Sequence, residues 1–243
     1  MAVKVFILGR PGSGKTTAAH YITSIVRKNG YYAVATNDYD VLRQKFLNDI
    51  NHYKFRATAN NGFDVLDFSV LDTALQELEQ NVQKYMTSVD LVTIEFARDN
   101  YHEAFKQFSP GFLRDAYFLY IHADTETCLE RIHWRVDHPH SADDHPSLSD
   151  DAFRLYYGKE NLPYMAHNFS RAYGINDTML KIIGNPSTST WRSFIEKIDE
   201  VARFIHEREA LLLREVSTLK VCPTPTEPDS LQTVSSLIPV GVG

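Results

Sequence analysis

In Gly9-Arg10-Pro11-Gly12-Ser13-Gly14-Lys15-Thr16, glycines are interleaved with polar residues and the run ends on a lysine and a hydroxyl. Glycines let the backbone curl so that successive N–H groups point inward, and a helix starting where the turn ends adds a partial positive charge. Such a turn is a cradle for a polyphosphate, with Lys15 as its point charge. It needs a strand before it and a helix after it. Val3, Val5, Phe6, Ile7 and Leu8 read as a buried strand. Residues 16–28 read as a helix, with Ala18, Ile22, Ile25 and Val26 on one face and Gly30 as its stop.

The octet fits G-x-x-x-x-G-K-[ST] at every position and resembles a Walker A P-loop. That resemblance implies ATP as the cofactor, held by Gly9, Arg10, Pro11, Gly12, Ser13, Gly14, Lys15, Thr16 and the adjoining Thr17. Lys15 would reach the β- and γ-phosphates, and the Thr16 hydroxyl would ligate the Mg²⁺ that bridges them.

The remaining candidates follow other apolar runs. Residues 32–36 read as a second strand that delivers Asp38, Asp40 and Arg43 to the carboxyl end of a sheet, where α/β folds bind ligands. The pattern D-x-D-x-x-R is similar to the D-G-D-x-x-R of adenylylsulfate kinases and zeta-toxin-type kinases. By that resemblance Asp38 or Asp40 is the catalytic base and Arg43 an acceptor clamp. Capping of a helix that starts at Val41 is the competing reading for both acids. Residues 44–61 mix Arg56 and other cations with aromatics, which suits contact with an acceptor or an ordinary surface equally. Phe68, Leu71, Leu75, Leu78, Val82 and Tyr85 form a helical stripe that belongs on the sheet, with Ser69 and Asp72, or Asp67 alone, as its cap.

Residues 89–96 read as a third strand ending in Glu95, then Arg98. An apolar strand closed by an acid resembles Walker B, which places Glu95 with Thr16 on the metal and beside the substrate. Arg98 is expected to face the acceptor, or to pair with Glu95. After a fourth strand at 116–123, Arg131 and Arg135 share one helix face. Their context resembles the lid entry of nucleoside monophosphate kinases, where two cations neutralise the transferred phosphoryl group; a solvated face is the plain alternative. Arg154 would be a third lid cation. Residues 136–150 are polar and punctuated by proline, as in a mobile lid, and the spacing of His138, His140, Asp143, Asp144 and His145 matches no zinc pattern. A last strand at 179–183 leads to Gly184-Asn185-Pro186, with Asn185 placed for the adenine edge by position in the kinase group.

The 243 residues carry a net charge of −6, which argues against a bulk electrostatic grip on nucleic acid without excluding it. No run approaches membrane-spanning length and the start lacks signal-peptide features, so a soluble, cytoplasmic protein is expected. Cys128 and Cys222 suggest inert thiols. The order of elements resembles the P-loop kinase superfamily, of the nucleoside and nucleotide kinase-like group. It implies a three-layer α/β fold, a five-stranded parallel sheet with helices on both faces and a lid over about 131–158. The kinase domain would span 1–206, a helix end 207–220 and a disordered tail 221–243. The implied activity moves the γ-phosphoryl group of Mg·ATP to a small acceptor, a nucleoside, nucleotide or similar compound. A polynucleotide 5′-hydroxyl kinase and a non-catalytic ATP-binding switch or scaffold stay open as alternatives. A GTPase switch is disfavoured among the rival classes, since no N-K-x-D or D-x-x-G motif follows.

Overall fold

The computed structural model describes residues 2–58, 62–138 and 149–219, with side chains as far as 210. Its strands are β1 (Val3–Leu8), β2 (Ala33–Asn37), β3 (Phe55–Ala57), β4 (Phe63–Val65), β5 (Leu91–Phe96), β6 (Ala116–His122) and β7 (Leu180–Gly184). The longer helices are α1 (Lys15–Lys28), α2 (Asp38–Asn48) and α3 (Ser69–Tyr85). The short α4 (Tyr101–Ala104) and α5 (Pro110–Leu113) follow, then α6 (Thr125–Asp137), α7 (Asp150–Tyr157), α8 (Leu162–His167), α9 (Phe169–Tyr173) and α10 (Trp191–Leu219).

Five strands form a parallel sheet in the order β2-β5-β1-β6-β7. Side chains alternate across a strand, so β1 sends Phe6 and Leu8 to one face and Val5 and Ile7 to the other. The first pair joins Leu75 and Leu78 of α3, Phe105, Phe118 and Phe169 in one core. The second pair joins Ala18 and Ile22 of α1 and Phe194 and Ile198 of α10 in another. Helices therefore cover both faces, as expected. The register sets the site: Ile7 and Asn37 both pair with Glu95, so β1, β2 and β5 end together.

Two local expectations change. Residues 44–61 are not merely polar surface, because β3 and β4 pair as an antiparallel hairpin and bury Phe55 and Phe63 against Leu71 and Leu42. Helix α2 starts at Asp38 rather than Val41, because the Asn37 side chain accepts from the Asp40 N–H and caps it first. On α3, Leu71, Leu75, Leu78 and Val82 are buried, whereas Phe68 is exposed and stacks on Tyr156. Ser69 supplies no capping bond, and Asp67 accepts from the Ser69 N–H.

The chain divides into compact units at Met1–Ile205 and His206–Gly243. Residues 206–219 of the second are helical. The stretch 139–148, which holds the centre of the expected lid with His140, Asp143, Asp144 and His145, lies outside the described residues, as do Cys222 and the expected tail. Among the described residues no helix is long and apolar enough to cross a membrane.

Candidate active site

The glycine-rich turn leaves β1 with Gly9 donating its N–H to the Tyr101 hydroxyl at 2.7 Å. Tyr101 is buried, and an isolated tyrosine after a helix cap carries no local signal in the sequence. Ser13 closes the turn by donating to the Arg10 carbonyl at 3.1 Å. Gly12 has φ +80°, and a Cβ there would lie 2.5 Å from the Cys128 carbonyl oxygen. Helix α6 is therefore seated directly on the turn. Burial pushes the Cys128 thiol up to about 11, which makes it inert as expected.

Lys15 is 6% exposed, donates to the Arg10 carbonyl at 3.0 Å and lies 3.7 Å from Glu95. The Thr16 hydroxyl donates to Glu95 Oε1 at 2.9 Å. The first turn of α1 contains no acid, so its N-terminal partial charge is left for an anion. A hydroxyl and a carboxylate in contact beside a phosphate lysine are the hard oxygen donors that Mg²⁺ takes, so Thr16 and Glu95 fit that ion.

Burial raises the Glu95 carboxyl above its ordinary value of 4.5, against the opposing pull of Lys15 and the Thr16 hydroxyl. The folded pKa thus exceeds the unfolded one, and the fold's preference for this group is full below the unfolded value and lost as pH rises through the folded one. For binding the sign is opposite, since only the carboxylate ligates metal. Mg²⁺-dependent nucleotide binding is expected to fall on acidification at a pH above 4.5. Titration of affinity against pH, with Glu95→Gln expected to lack that acidic limb, checks this.

A cavity of about 650 Å³ joins these groups to the rest of the site. Pro11, Gly12, Gly14, Lys15, Thr16, Thr17 and Glu95 line its middle. Asn185 and Phe194 line one end, and Asp38, Tyr39 and Arg98 another. Gly9, Arg10 and Ser13 shape the turn without lining it. Arg10 turns away and donates to the carbonyls of Ala123, Tyr157 and Lys159 at 2.8 to 2.9 Å. Arg10 is thus a bracket for the segment after α7, and no phosphate contact falls to its guanidinium. Asn185 donates from its side chain to the Ser13 carbonyl at 2.8 Å, which fastens the loop after β7 to the turn. Arg131 donates to the carbonyls of Asn185 and Pro186 at 3.1 and 3.0 Å. Arg135, one turn along α6, lines the cavity with it.

Asp38 and Asp40 separate. Asp38 is buried on the cavity wall, and Asp40 is exposed and bonded to Asn37. Arg98, 4% exposed, pairs with Asp38 and not with Glu95, and it also donates to the Leu71 carbonyl at 2.8 Å. The pairing follows from the register, which brings the ends of β2 and β5 side by side. The structure does not bring Arg43, Arg56 or Arg154 to the cavity. Arg43 is exposed on α2, Arg56 pairs with Asp64 across the hairpin, and Arg154 pairs with Glu126. Phe63 and Tyr157, which the sequence did not single out for the site, line the cavity instead.

The parallel sheet and the glycine-rich turn define the class: a P-loop NTPase fold, whose turn is built for the phosphates of a nucleotide. A family profile described as AAA domain matches residues 5–150, and the chain belongs to that family. No curated protein sequence matches it. Similar solved structures include a Chaetomium thermophilum Kti12 in complex with ADP-AlF3, 13% identical, covering 82% of this chain and 96% of its own, with a TM-score of 0.49. The Mycobacterium tuberculosis APS kinase CysC in complex with AMPPNP and APS is 14% identical over 84% of this chain and 98% of its own, TM-score 0.47. A shikimate kinase from Acinetobacter baumannii in complex with shikimate is 12% identical over 86% and 95%, TM-score 0.46.

Proposed function

We propose that the protein is an ATP-dependent phosphotransferase acting on a small hydroxyl-bearing acceptor. One observation carries this reading: a single cavity holds both the phosphate turn after β1 and the buried Asp38 carboxylate after β2, two strands along the sheet. The acceptor oxygen would attack the γ-phosphorus in line, and the bond from that phosphorus to the β–γ bridging oxygen would break. Its electron pair leaves with ADP, and the hydroxyl proton passes to Asp38. Arg98 engages Asp38 through Oδ2, which leaves Oδ1 for the acceptor. Lys15 and Arg135 neutralise charge on the moving group. Mg²⁺ held by Thr16 and Glu95 would supply further neutralisation at the β- and γ-oxygens.

A second reading, an ATP-binding switch without transfer, draws on the same ion pair, since Arg98 already holds the base. ADP release from Mg·ATP, alone and with a panel of nucleosides, monophosphates, sugar acids and 5′-hydroxyl oligonucleotides, separates the two. Acceptor-dependent stimulation is expected, with Lys15→Ala lowering it by about 10²-fold. Tight ATP binding with flat turnover favours the switch.

A further inference from the structure

Tyr101 is the first residue of α4, and its hydroxyl lies between the ends of two strands. It accepts the Gly9 N–H at 2.7 Å, and its own hydrogen has the Gly9 and Phe96 carbonyls in reach at 3.2 and 3.3 Å. Leu8 and Phe96 are the last residues of β1 and β5 in register, so the hydroxyl stands where the next rung of the ladder would fall. There β1 turns away into the phosphate loop, and a side chain supplies the acceptor that a strand would otherwise give. The rings of Phe96, Tyr120 and Phe105, with centroids 5.6, 5.8 and 6.1 Å away, fix the direction of the phenol. Its backbone is held as well. The Tyr101 N–H donates to the Asn161 side-chain oxygen at 3.2 Å, and the Asn161 amide donates to the Asp99 carbonyl at 2.7 Å. Burial raises the hydroxyl well above its ordinary range, so it keeps its proton.

We infer that Tyr101 is a positioning residue, whose hydroxyl sets the distance between the phosphate turn and the Glu95 carboxylate. The inference rests on the reading of Thr16 and Glu95 as donors to Mg²⁺, and it holds with or without phosphoryl transfer. Glu95 directly precedes Phe96, and Thr16 lies in the first turn of the helix that follows the phosphate loop. Their bond of 2.9 Å is the separation that the hydroxyl preserves. The loop keeps its own shape through bonds that leave Tyr101 out: Ser13 and Lys15 donate to the Arg10 carbonyl, and Asn185 donates to the Ser13 carbonyl. Without the hydroxyl the buried Gly9 N–H needs a new partner, and the loop shifts as a unit against the end of β5 to find one. Phosphates held by the loop alone do not sense that shift. A cation that takes one oxygen from each side does, because its ligands tolerate displacements of only a few tenths of an ångström.

The test measures the affinity of the full chain for AMPPNP by calorimetry, once with excess Mg²⁺ and once in EDTA, and takes the ratio. The natural sequence is expected to bind more tightly with Mg²⁺. Tyr101→Phe keeps the ring and removes the oxygen. It is expected to weaken binding with Mg²⁺ by about tenfold, the low end for residues that orient metal ligands, and to leave binding in EDTA within about twofold. Tyr173→Phe removes a comparable bond, from its hydroxyl to the His102 carbonyl of α4 at 3.0 Å, and should leave the ratio as it was. General weakening of the fold cannot confine its effect to the Mg²⁺ arm. An unchanged ratio in folded Tyr101→Phe overturns the inference. An equal loss in both arms also overturns it, since the hydroxyl would then shape the loop and not its distance from Glu95. Where Tyr101→Phe does not fold, Asn161→Ala loosens the Tyr101 backbone instead: the same selective loss, smaller in size, is expected, and an unchanged ratio overturns. If the natural protein binds AMPPNP equally in both arms, the Mg²⁺ reading of Thr16 and Glu95 fails, and with it the role given to Tyr101.

Discussion

Asp38→Asn is expected to lower acceptor-dependent turnover by about 10²- to 10⁴-fold, the range over which a positioned base acts. ATP affinity should hold, because the proposed phosphate contacts come from the turn and Lys15. The substitution keeps shape and volume while removing the charge, so Arg98 loses its partner in a buried place. Some stability should go with it, and thermal unfolding measures that part separately. Asp40→Asn is the internal comparison. Asp40 is exposed and, among the described residues, is hydrogen-bonded to the capping Asn37, so its loss should leave turnover close to that of the natural protein. Equal damage from both substitutions would show that helix placement matters here and that the Asp38 carboxylate does not. Full turnover in Asp38→Asn would remove the base from the mechanism.

Gly12→Ala is expected to abolish detectable ATP binding and to lower the unfolding temperature. Two causes add. A left-handed backbone angle costs a non-glycine residue about 1–3 kcal/mol when it is held in a strained region. The new methyl also meets the Cys128 carbonyl, which belongs to the backbone of α6 and cannot rotate out of the way. Gly30→Ala separates these effects, because Gly30 has φ +86° but nothing within 4 Å of its Cβ position. It should lose some stability and keep its nucleotide. If Gly12→Ala behaved like Gly30→Ala, the close seating of α6 on the turn would be wrong.

The contrast between these residues explains what was legible in the sequence. The phosphate turn is contiguous, so its residue types, its spacing and the flanking strand and helix could all be read in order. The sheet was legible for a related reason, since its strands are buried apolar runs bounded by polar residues. The roles of Asp38 and Asp40 were not. They lie two residues apart, which on a helix turns them about 200° from each other, and only the start of α2 decides which one faces inward. That start depended on Asn37 taking the cap. The arginines were obscured by pairing that the local sequence does not show: Asp38 for Arg98 and Glu126 for Arg154 lie far along the chain, and Asp64 meets Arg56 only once the hairpin forms. A basic side chain near a motif reads as available until its counter-ion is found. The hairpin escaped because its strands are three residues each, too short for alternation to register.

Arg10 gives the phosphate turn a second attachment. Its guanidinium grips backbone carbonyls at Tyr157 and Lys159, while its own carbonyl receives Lys15 and the Ser13 N–H. The wall that carries Tyr157 is therefore moored to the same peptide unit that the phosphate lysine rests on. Arg10 is thus, among the described residues, the one whose backbone supports the lysine of the turn while its side chain supports the wall that carries Tyr157.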